Sequence, residues 1–208
     1  KLTMIWGISA EAIIAKYRWL YQLGLQGPDI FFYNIPILRH RDYRNVGAYM
    51  HEHHVNDFFR CYLTHLGDLK SQTAAGAGIS YLAGFLCHYV GDSICHPYVY
   101  GRIGYDISNP STHSPRAARL PGKRHRRLLL QKYKKKKPSQ FNQAATICLN
   151  AQETQFISRF LSACINETYY PITYRNKFQV NAPHGAPLHP GHPLRCRTLA
   201  DKSGRKKE

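Results

Sequence analysis

The sequence predicts an all-α fold, a single domain of long packed helices, and three observations support this prediction. Apolar residues recur at helical spacing in several stretches, and the chain shows no notable alternation of the kind that is typical of strands. The composition, with 43% hydrophobic residues, 15 Tyr and 9 Phe in 208 residues, is sufficient for a hydrophobic core and excludes wholesale disorder.

Four helices are predicted from the apolar spacing, at residues 10–25, 42–66, 71–99 and 139–169. Gly27 and Pro28 form a break after the first helix, and Pro138 and Ser139 are start signals for the fourth. We expect these helices to form one domain over residues 1–175 around a cleft, with an irregular segment at 107–127. A basic tail at 176–208, rich in Pro and His, is expected to be disordered or irregular.

The chain is strongly basic, with a formal net charge of +17. This charge favours an anionic partner, either nucleic acid or an anionic membrane surface. The candidate contact is the run Lys134, Lys135, Lys136 and Lys137, for which a solvated loop is the alternative. No protein partner is indicated.

No apolar run is long enough to span a bilayer, because the best candidate, residues 79–90, is short and contains His88. No secretory signal is visible either, so a cytoplasmic or peripheral membrane location is expected. The six cysteines show no pattern of a disulfide framework, which favours buried free thiols.

Three metal-capable side chains, His88, Asp92 and His96, recur at intervals of four residues in the third predicted helix. A helix completes a turn in 3.6 residues, so each step of four drifts by only about 40° and the three share one face. Imidazole nitrogens and a carboxylate oxygen are ligands that suit zinc. The alternative is that the histidines are core or capping residues.

Two further residues could complete a zinc site. Asp29 follows a Gly-Pro break that can hold a short acid rigidly, although alone it would serve as a turn or cap residue. His51 lies in the second predicted helix with His53 and His54, of which one or two are expected on the solvent face. The set for one tetrahedral zinc would be Asp29, His51, His88 and Asp92. His96 would be left over for a second ion.

Several segments of the sequence together resemble the bacterial zinc-dependent phospholipase C family. They are GLQGPDIFFY at 24–33, GAYMH at 47–51, LAGFLCHY at 82–89 followed by Asp92 and His96, and PSQF at 138–141. The resemblance implies an all-α fold, shared with single-strand-specific zinc nucleases, and up to three zinc ions in a cleft. It also implies that the substrate is a phospholipid and that a phosphodiester bond is hydrolysed.

The same resemblance assigns roles to the candidate residues. The first zinc site of the family is matched by Asp29, His51, His88 and Asp92. Asp29 is also a candidate general base, Asp92 would bridge to a neighbouring ion, and His96 matches a ligand of a second zinc. Clustered zinc acidifies water and offsets the charge that develops on phosphate, so the implied reaction releases a phosphorylated head group.

Two parts of the family pattern are missing here. No His precedes His40 to match the one on the family's first helix, and no His-x3-Glu pair follows the third helix to complete a second zinc site. Codon degeneracy permits a shifted reading frame at 115–127 that spells such a pair. We therefore hypothesise frame shifts at 115–127 and 182–196, with a genuine loop and tail as the alternative. One zinc is predicted for the chain as written.

Two alternatives to the phospholipase function remain open. A single-strand nuclease would share the metal chemistry but not the substrate. A non-catalytic basic helical protein, with a vestigial metal site, would bind nucleic acid or anionic membrane through its charge.

Overall fold

The computed structural model describes residues 8–33, 46–103, 127–141, 147–170, 178–181 and 195–198. These residues are predominantly helical, which confirms the predicted all-α class. They belong to two compact units, one formed by Lys1–Leu86 with Ala144–Glu208 and the other by Cys87–Gln143. The irregular segment predicted at 107–127 lies outside the described residues, apart from Arg127.

The helix predicted at residues 10–25 is divided at Tyr17 into α1 (Ala10–Lys16) and α2 (Arg18–Gly24). The backbone of Tyr17 leaves the helical region, with φ −112° and ψ 39°. Its ring occupies the space beside Gly76, where an added Cβ would lie 2.8 Å from Tyr17 Cε2. The break thus falls at a residue that makes a contact distant in sequence, within a stretch whose apolar spacing is continuous. A 3-10 helix, Gly27–Tyr33, follows α2.

The second predicted helix is also two helices, α3 (Val46–Glu52) and α4 (Val55–Gly67), while residues 42–45 lie outside the described residues. The break falls at His54, whose φ of 52° is in the left-handed region. His is one of the few non-glycine residues enriched there. The ring nitrogen Nδ1 of His54 lies 3.1 Å from Asp57 Oδ2 in the first turn of α4, a contact that helps to hold this conformation.

The third predicted helix is confirmed as α5 (Gln72–Ile103), which extends beyond the predicted end at residue 99. Ser71 accepts a hydrogen bond from the Ala74 amide at 3.3 Å and so caps its first turn. Pro97 lies inside α5, where it removes one backbone donor.

The fourth predicted helix begins later than expected, as α6 (Ala151–Tyr169), so the predicted start at residue 139 was wrong. Asn150 accepts from the Glu153 amide at 2.8 Å, and Glu153 accepts from the Asn150 amide at 3.0 Å. This capping box fixes the start of the helix. The Pro138 signal instead opens a 3-10 turn, Pro138–Gln140, which follows a π-helical turn at Leu130–Lys134.

Two short strands occur near the C-terminus, β1 (Phe178–Asn181) and β2 (Arg195–Thr198). They pair in antiparallel register, with Phe178 opposite Thr198 and Val180 opposite Cys196. The sequence analysis did not predict them, because four-residue strands leave too little room for a visible alternation.

The hydrophobic core of the first unit is rich in aromatic rings. Tyr62 of α4 packs edge-on against Phe160 of α6, with ring centroids 4.7 Å apart, and lies nearly parallel to Tyr81 of α5. The Tyr62 hydroxyl donates to the Gly78 carbonyl at 2.9 Å, so this buried polar group is satisfied. The largest fully buried side chains are Tyr62, Tyr81, Tyr169, Phe31, Phe58, Phe85, Leu20, Leu23, Ile157, Leu161 and Ile165.

The backbones of α2 and α5 touch at Gly24 and Gly84, both of which are buried. A Cβ on Gly24 would lie 2.9 Å from the Phe85 nitrogen and would overlap the Tyr81 carbonyl oxygen. A Cβ on Gly84 would lie 2.9 Å from the Leu25 nitrogen. An alanine at either position would therefore push α2 and α5 apart.

Among the described residues, no helix has both the length and the apolar character needed to cross a membrane.

Candidate metal centre

The first candidate pair joins the 3-10 helix to α3. His51 lies in the last turn of α3, and its Nε2 is 3.4 Å from Oδ1 of Asp29. The Asp29 side chain is 50% exposed and that of His51 is 19% exposed, so the imidazole is largely enclosed while the carboxylate meets solvent. The sequence analysis predicted both residues as ligands, and the structure brings them together.

The orientation of the His51 ring follows from its other nitrogen. Nδ1 lies 2.6 Å from the Gly47 carbonyl oxygen, which can only accept a hydrogen bond. Nδ1 therefore carries the proton, and in the neutral ring Nε2 presents its lone pair toward Asp29. The two atoms, 3.4 Å apart, can therefore both offer a lone pair to one cation, either a proton or a metal ion.

The second candidate set lies on α5, in the other unit. Asp92 Oδ2 is 3.5 Å from His88 Nε2, and Asp92 Oδ1 is 3.7 Å from His96 Nε2. The two carboxylate oxygens thus face different histidines, as a carboxylate that bridges two ions would require. The prediction that the three side chains share one helix face is correct.

The exposed fraction of the side chains on this face falls from His96 through Asp92 to His88. The side chain of His96 is half exposed, Asp92 is intermediate, and His88 is only 9% exposed. Burial raises the pKa of the neighbouring Tyr89 hydroxyl, and the charge of Asp92 adds to that effect. His88 is therefore the most protected ligand candidate on α5, and His96 is the most accessible to solvent.

These donors fit a zinc ion. Neutral imidazole nitrogens and carboxylate oxygens are common zinc ligands, and a backbone carbonyl that fixes the imidazole tautomer is a usual companion. The Gly47 carbonyl was not identified from the sequence, although the spacing of four residues between Gly47 and His51 on a helix was visible there. The full predicted set for one zinc, which combines Asp29 and His51 with His88 and Asp92, stays a prediction.

The remaining candidates are exposed to solvent or lie outside the described residues. His53 and His54 are exposed, as expected for the solvent face of their segment. Lys134, Lys135, Lys136 and Lys137 are all exposed, at and after the π-helical turn. The hypothesised His-x3-Glu segment at 115–127 lies outside the described residues except Arg127, as does most of 182–196.

Comparison with known proteins identifies the family of the chain. No curated protein and no solved structure shows a significant match. A family model described as zinc dependent phospholipase C matches residues 7–170, a range that contains all five candidate ligands and both candidate sets. The match covers well over half of the chain and agrees with the helical fold and with the resemblance seen in the sequence motifs. The chain therefore belongs to the zinc-dependent phospholipase C family.

Proposed function

We propose that this protein is a zinc-dependent hydrolase that cleaves the phosphodiester bond of a phospholipid and releases a phosphorylated head group. The observation that carries the proposal is the His51 ring, which Gly47 holds with its Nε2 lone pair facing the Asp29 carboxylate at 3.4 Å. Membership of the zinc-dependent phospholipase C family supports the class of metal and of substrate.

We propose that Asp29, His51, His88 and Asp92 hold one zinc, and that Asp92 and His96 are available to a second ion. Zinc supplies a nucleophile at neutral pH by acidifying water, and it offsets charge on the phosphate. The chain's own contribution is orientation: Gly47 fixes the His51 tautomer, and each Asp92 oxygen faces its own histidine. The enclosed position of His88 protects that donor from competing water.

Asp29 is proposed as the general base. Its carboxylate is half exposed, so a water molecule can reach it, while its Oδ1 stays next to His51. A carboxylate in this position can accept the proton of an attacking water. General bases of this kind contribute about 10²–10⁴-fold to rate.

A lipid surface is the proposed setting of the reaction. Near the π-helical turn, Leu128, Leu129 and Tyr133 are more than half exposed, at 55%, 52% and 67%. The exposed run Lys134 to Lys137 follows directly. Exposed apolar side chains beside several lysines suit the boundary between anionic head groups and acyl chains.

The test combines zinc analysis with activity assays on two substrates, phosphatidylcholine vesicles and single-stranded DNA. The purified chain should contain zinc and hydrolyse phosphatidylcholine vesicles, and chelation should abolish the activity. Asp29→Asn and His51→Gln should each lower turnover about 100-fold or more, since the base alone contributes about 10²–10⁴-fold. Asp68→Asn and His53→Gln are matched controls at exposed positions and should keep full activity.

Other outcomes would overturn the proposal in different ways. A purified chain without zinc would exclude both the phospholipase and the nuclease function. Zinc without turnover of either substrate would favour the vestigial metal site, whereas faster cleavage of single-stranded DNA would favour the nuclease that the charge of +17 also suits.

We also propose that the missing His-x3-Glu pair limits the predicted phospholipase site to one zinc. The encoding DNA tests the frame-shift hypothesis, because codons incompatible with the shifted frames at 115–127 or 182–196 would refute it. A variant carrying the corrected segment should bind more zinc and turn over faster than the chain as written.

A further inference from the structure

A second cluster of metal-binding side chains lies between α4 and α6 and contains none of the predicted zinc ligands. Cys61 and His65 are four residues apart on α4, and Cys164 and Glu167 are three residues apart on α6, so each pair shares one helix face. One ligand atom from each of Cys61, His65 and Cys164 lies within 4.8 Å of the other two. The cluster thus draws two thiols and an imidazole together from distant parts of the chain.

The contacts around His65 fix the position of its ring. Nε2 of His65 lies 2.7 Å from Oε2 of Glu167, a carboxylate 102 residues further along the chain. The Phe160 ring packs edge-on against the imidazole, with centroids 6.2 Å apart. If Nε2 carries the proton that Glu167 accepts, the lone pair of the neutral ring is on Nδ1.

The two sulfur atoms have different surroundings. Cys164 has no exposed surface, and Cys61 is partly exposed and donates to the Cys164 carbonyl at 3.8 Å. Burial raises the pKa of both thiols, so each stays protonated when no cation is present. The side of the cluster with His65 and Glu167 is open to solvent, since those side chains are 33% and 61% exposed. An ion can reach the cluster from that side.

We infer that Cys61, His65 and Cys164 bind a zinc ion that joins α4 to α6, and that Glu167 is a positioning residue for His65. Two thiolates and an imidazole are ligands that zinc prefers, and sulfur disfavours hard cations such as magnesium or calcium. Tetrahedral zinc needs a sulfur–sulfur separation of about 3.8 Å, so the sulfur atoms have to approach by at most about 1 Å. Binding releases the two thiol protons, and the inference is independent of the proposed phospholipase activity.

Cobalt(II) provides a probe that separates this site from the predicted phospholipase site. Thiolate ligands give cobalt a charge-transfer absorption in the near ultraviolet, and the other predicted ligands contain no sulfur. Metal-free full-length protein, kept reduced, should develop this absorption when titrated with cobalt. Cys148→Ser, a control at an exposed cysteine, should retain it, and the double variant Cys61→Ser with Cys164→Ser should lose it.

Two substitutions on the exposed side keep the test valid should the double variant fail to fold. His65→Asn should lower cobalt affinity by about 10-fold or more while the far-ultraviolet spectrum stays helical. Glu167→Gln should lower cobalt affinity about 10–100-fold but retain the thiolate absorption, as removal of a positioning residue would. A structural role for Glu167 alone would leave the affinity unchanged.

Three results would overturn the inference. One is the absence of a thiolate absorption in the unsubstituted protein. Another is its persistence in the double variant. The third is a disulfide between Cys61 and Cys164 in protein purified without reductant, detected by peptide mass mapping.

Discussion

Replacing Gly84 with Ala tests the backbone contact between α2 and α5. The new Cβ would overlap the Tyr21 carbonyl oxygen and lie 2.9 Å from the Leu25 nitrogen. Both atoms belong to the backbone, so no side chain can turn aside and the helices must separate. Overpacking of this kind costs about 1–3 kcal/mol. Because the neighbouring atoms belong to the backbone, we expect the cost at Gly84 to lie at the upper end of that range.

The gain in helix propensity opposes this cost. Alanine is about 1 kcal/mol better than glycine inside a helix, so the net loss for Gly84→Ala is about 2 kcal/mol. For a chain of this size that corresponds to a fall of about 4–8 °C in Tm. At Gly91, in the same helix, an added Cβ would have no neighbour within 4 Å, so Gly91→Ala should raise Tm by about 2–4 °C.

Thermal unfolding followed by circular dichroism, with zinc and with chelator, measures these shifts. Gly67→Ala adds a control in the first unit, since nothing lies within 4 Å of its added Cβ and no large loss is expected. The reasoning fails if Gly84→Ala is as stable as Gly91→Ala, because the close backbone approach would then be absent. A second sign of the predicted separation is weaker zinc binding by Gly84→Ala, since α2 leads into the 3-10 helix that carries Asp29.

Three further predictions concern α4, α6 and the thiols. Tyr62→Phe removes a buried hydrogen bond of 2.9 Å to Gly78 and should lower the free energy of unfolding by about 0.5–1.5 kcal/mol in urea titrations; an unchanged midpoint would contradict that bond. Asn150→Ala removes the cap of α6 and should cost about 1 kcal/mol, whereas Asn150→Asp should restore most of it. Burial raises the pKa of the Cys164 thiol, so the folded state keeps a proton that the unfolded state loses. In metal-free protein this contribution to stability is full below the ordinary thiol pKa of 9.0 and declines as pH rises above it. Cys164 should also react with iodoacetamide more slowly than exposed Cys148, and equal rates would refute the burial.

The sequence predicted α5 well because its apolar residues and the face of His88, Asp92 and His96 follow one helical period without a strong break. The pairing of Asp29 with His51 was also anticipated, first from the ligand types and then through resemblance to a family. No local sequence pattern predicts that the 3-10 helix with Asp29 packs against α3 with His51. The tautomer of His51 could have been anticipated from spacing alone, since Gly47 lies one helical turn earlier.

The helix boundaries were harder to predict from the sequence, for physical reasons. At Tyr17 the break falls beside Gly76 of another helix, a contact that no local sequence pattern indicates. At His54 a single left-handed residue divides α3 from α4 without the glycine that usually marks such a position. The Pro138 start signal is real but opens only one 3-10 turn, and the effective cap of α6 is Asn150.

The cluster at Cys61 and Cys164 was invisible in the sequence for a different reason. Two cysteines 103 residues apart, each with an acid or a His within one helical turn, have no recognisable motif until the helices pack. The sequence pattern predicted buried free thiols, which is correct for Cys164. It was wrong for Cys87, Cys95 and Cys148, whose side chains are exposed. Only the packing of α4 against α6 brings the sulfur atoms and His65 together.

The first unit is discontinuous in the chain, and this has a consequence for synthesis. Its N-terminal part ends at Leu86, but the core also needs α6, which ends at Tyr169. Translation at about 5–20 residues per second leaves an interval of about 4–17 s between these points. Throughout that time the apolar surfaces that α6 will cover, including those of Tyr62 and Phe58, have no partner from that helix. We therefore expect the nascent chain to be prone to aggregation until α6 has been synthesised.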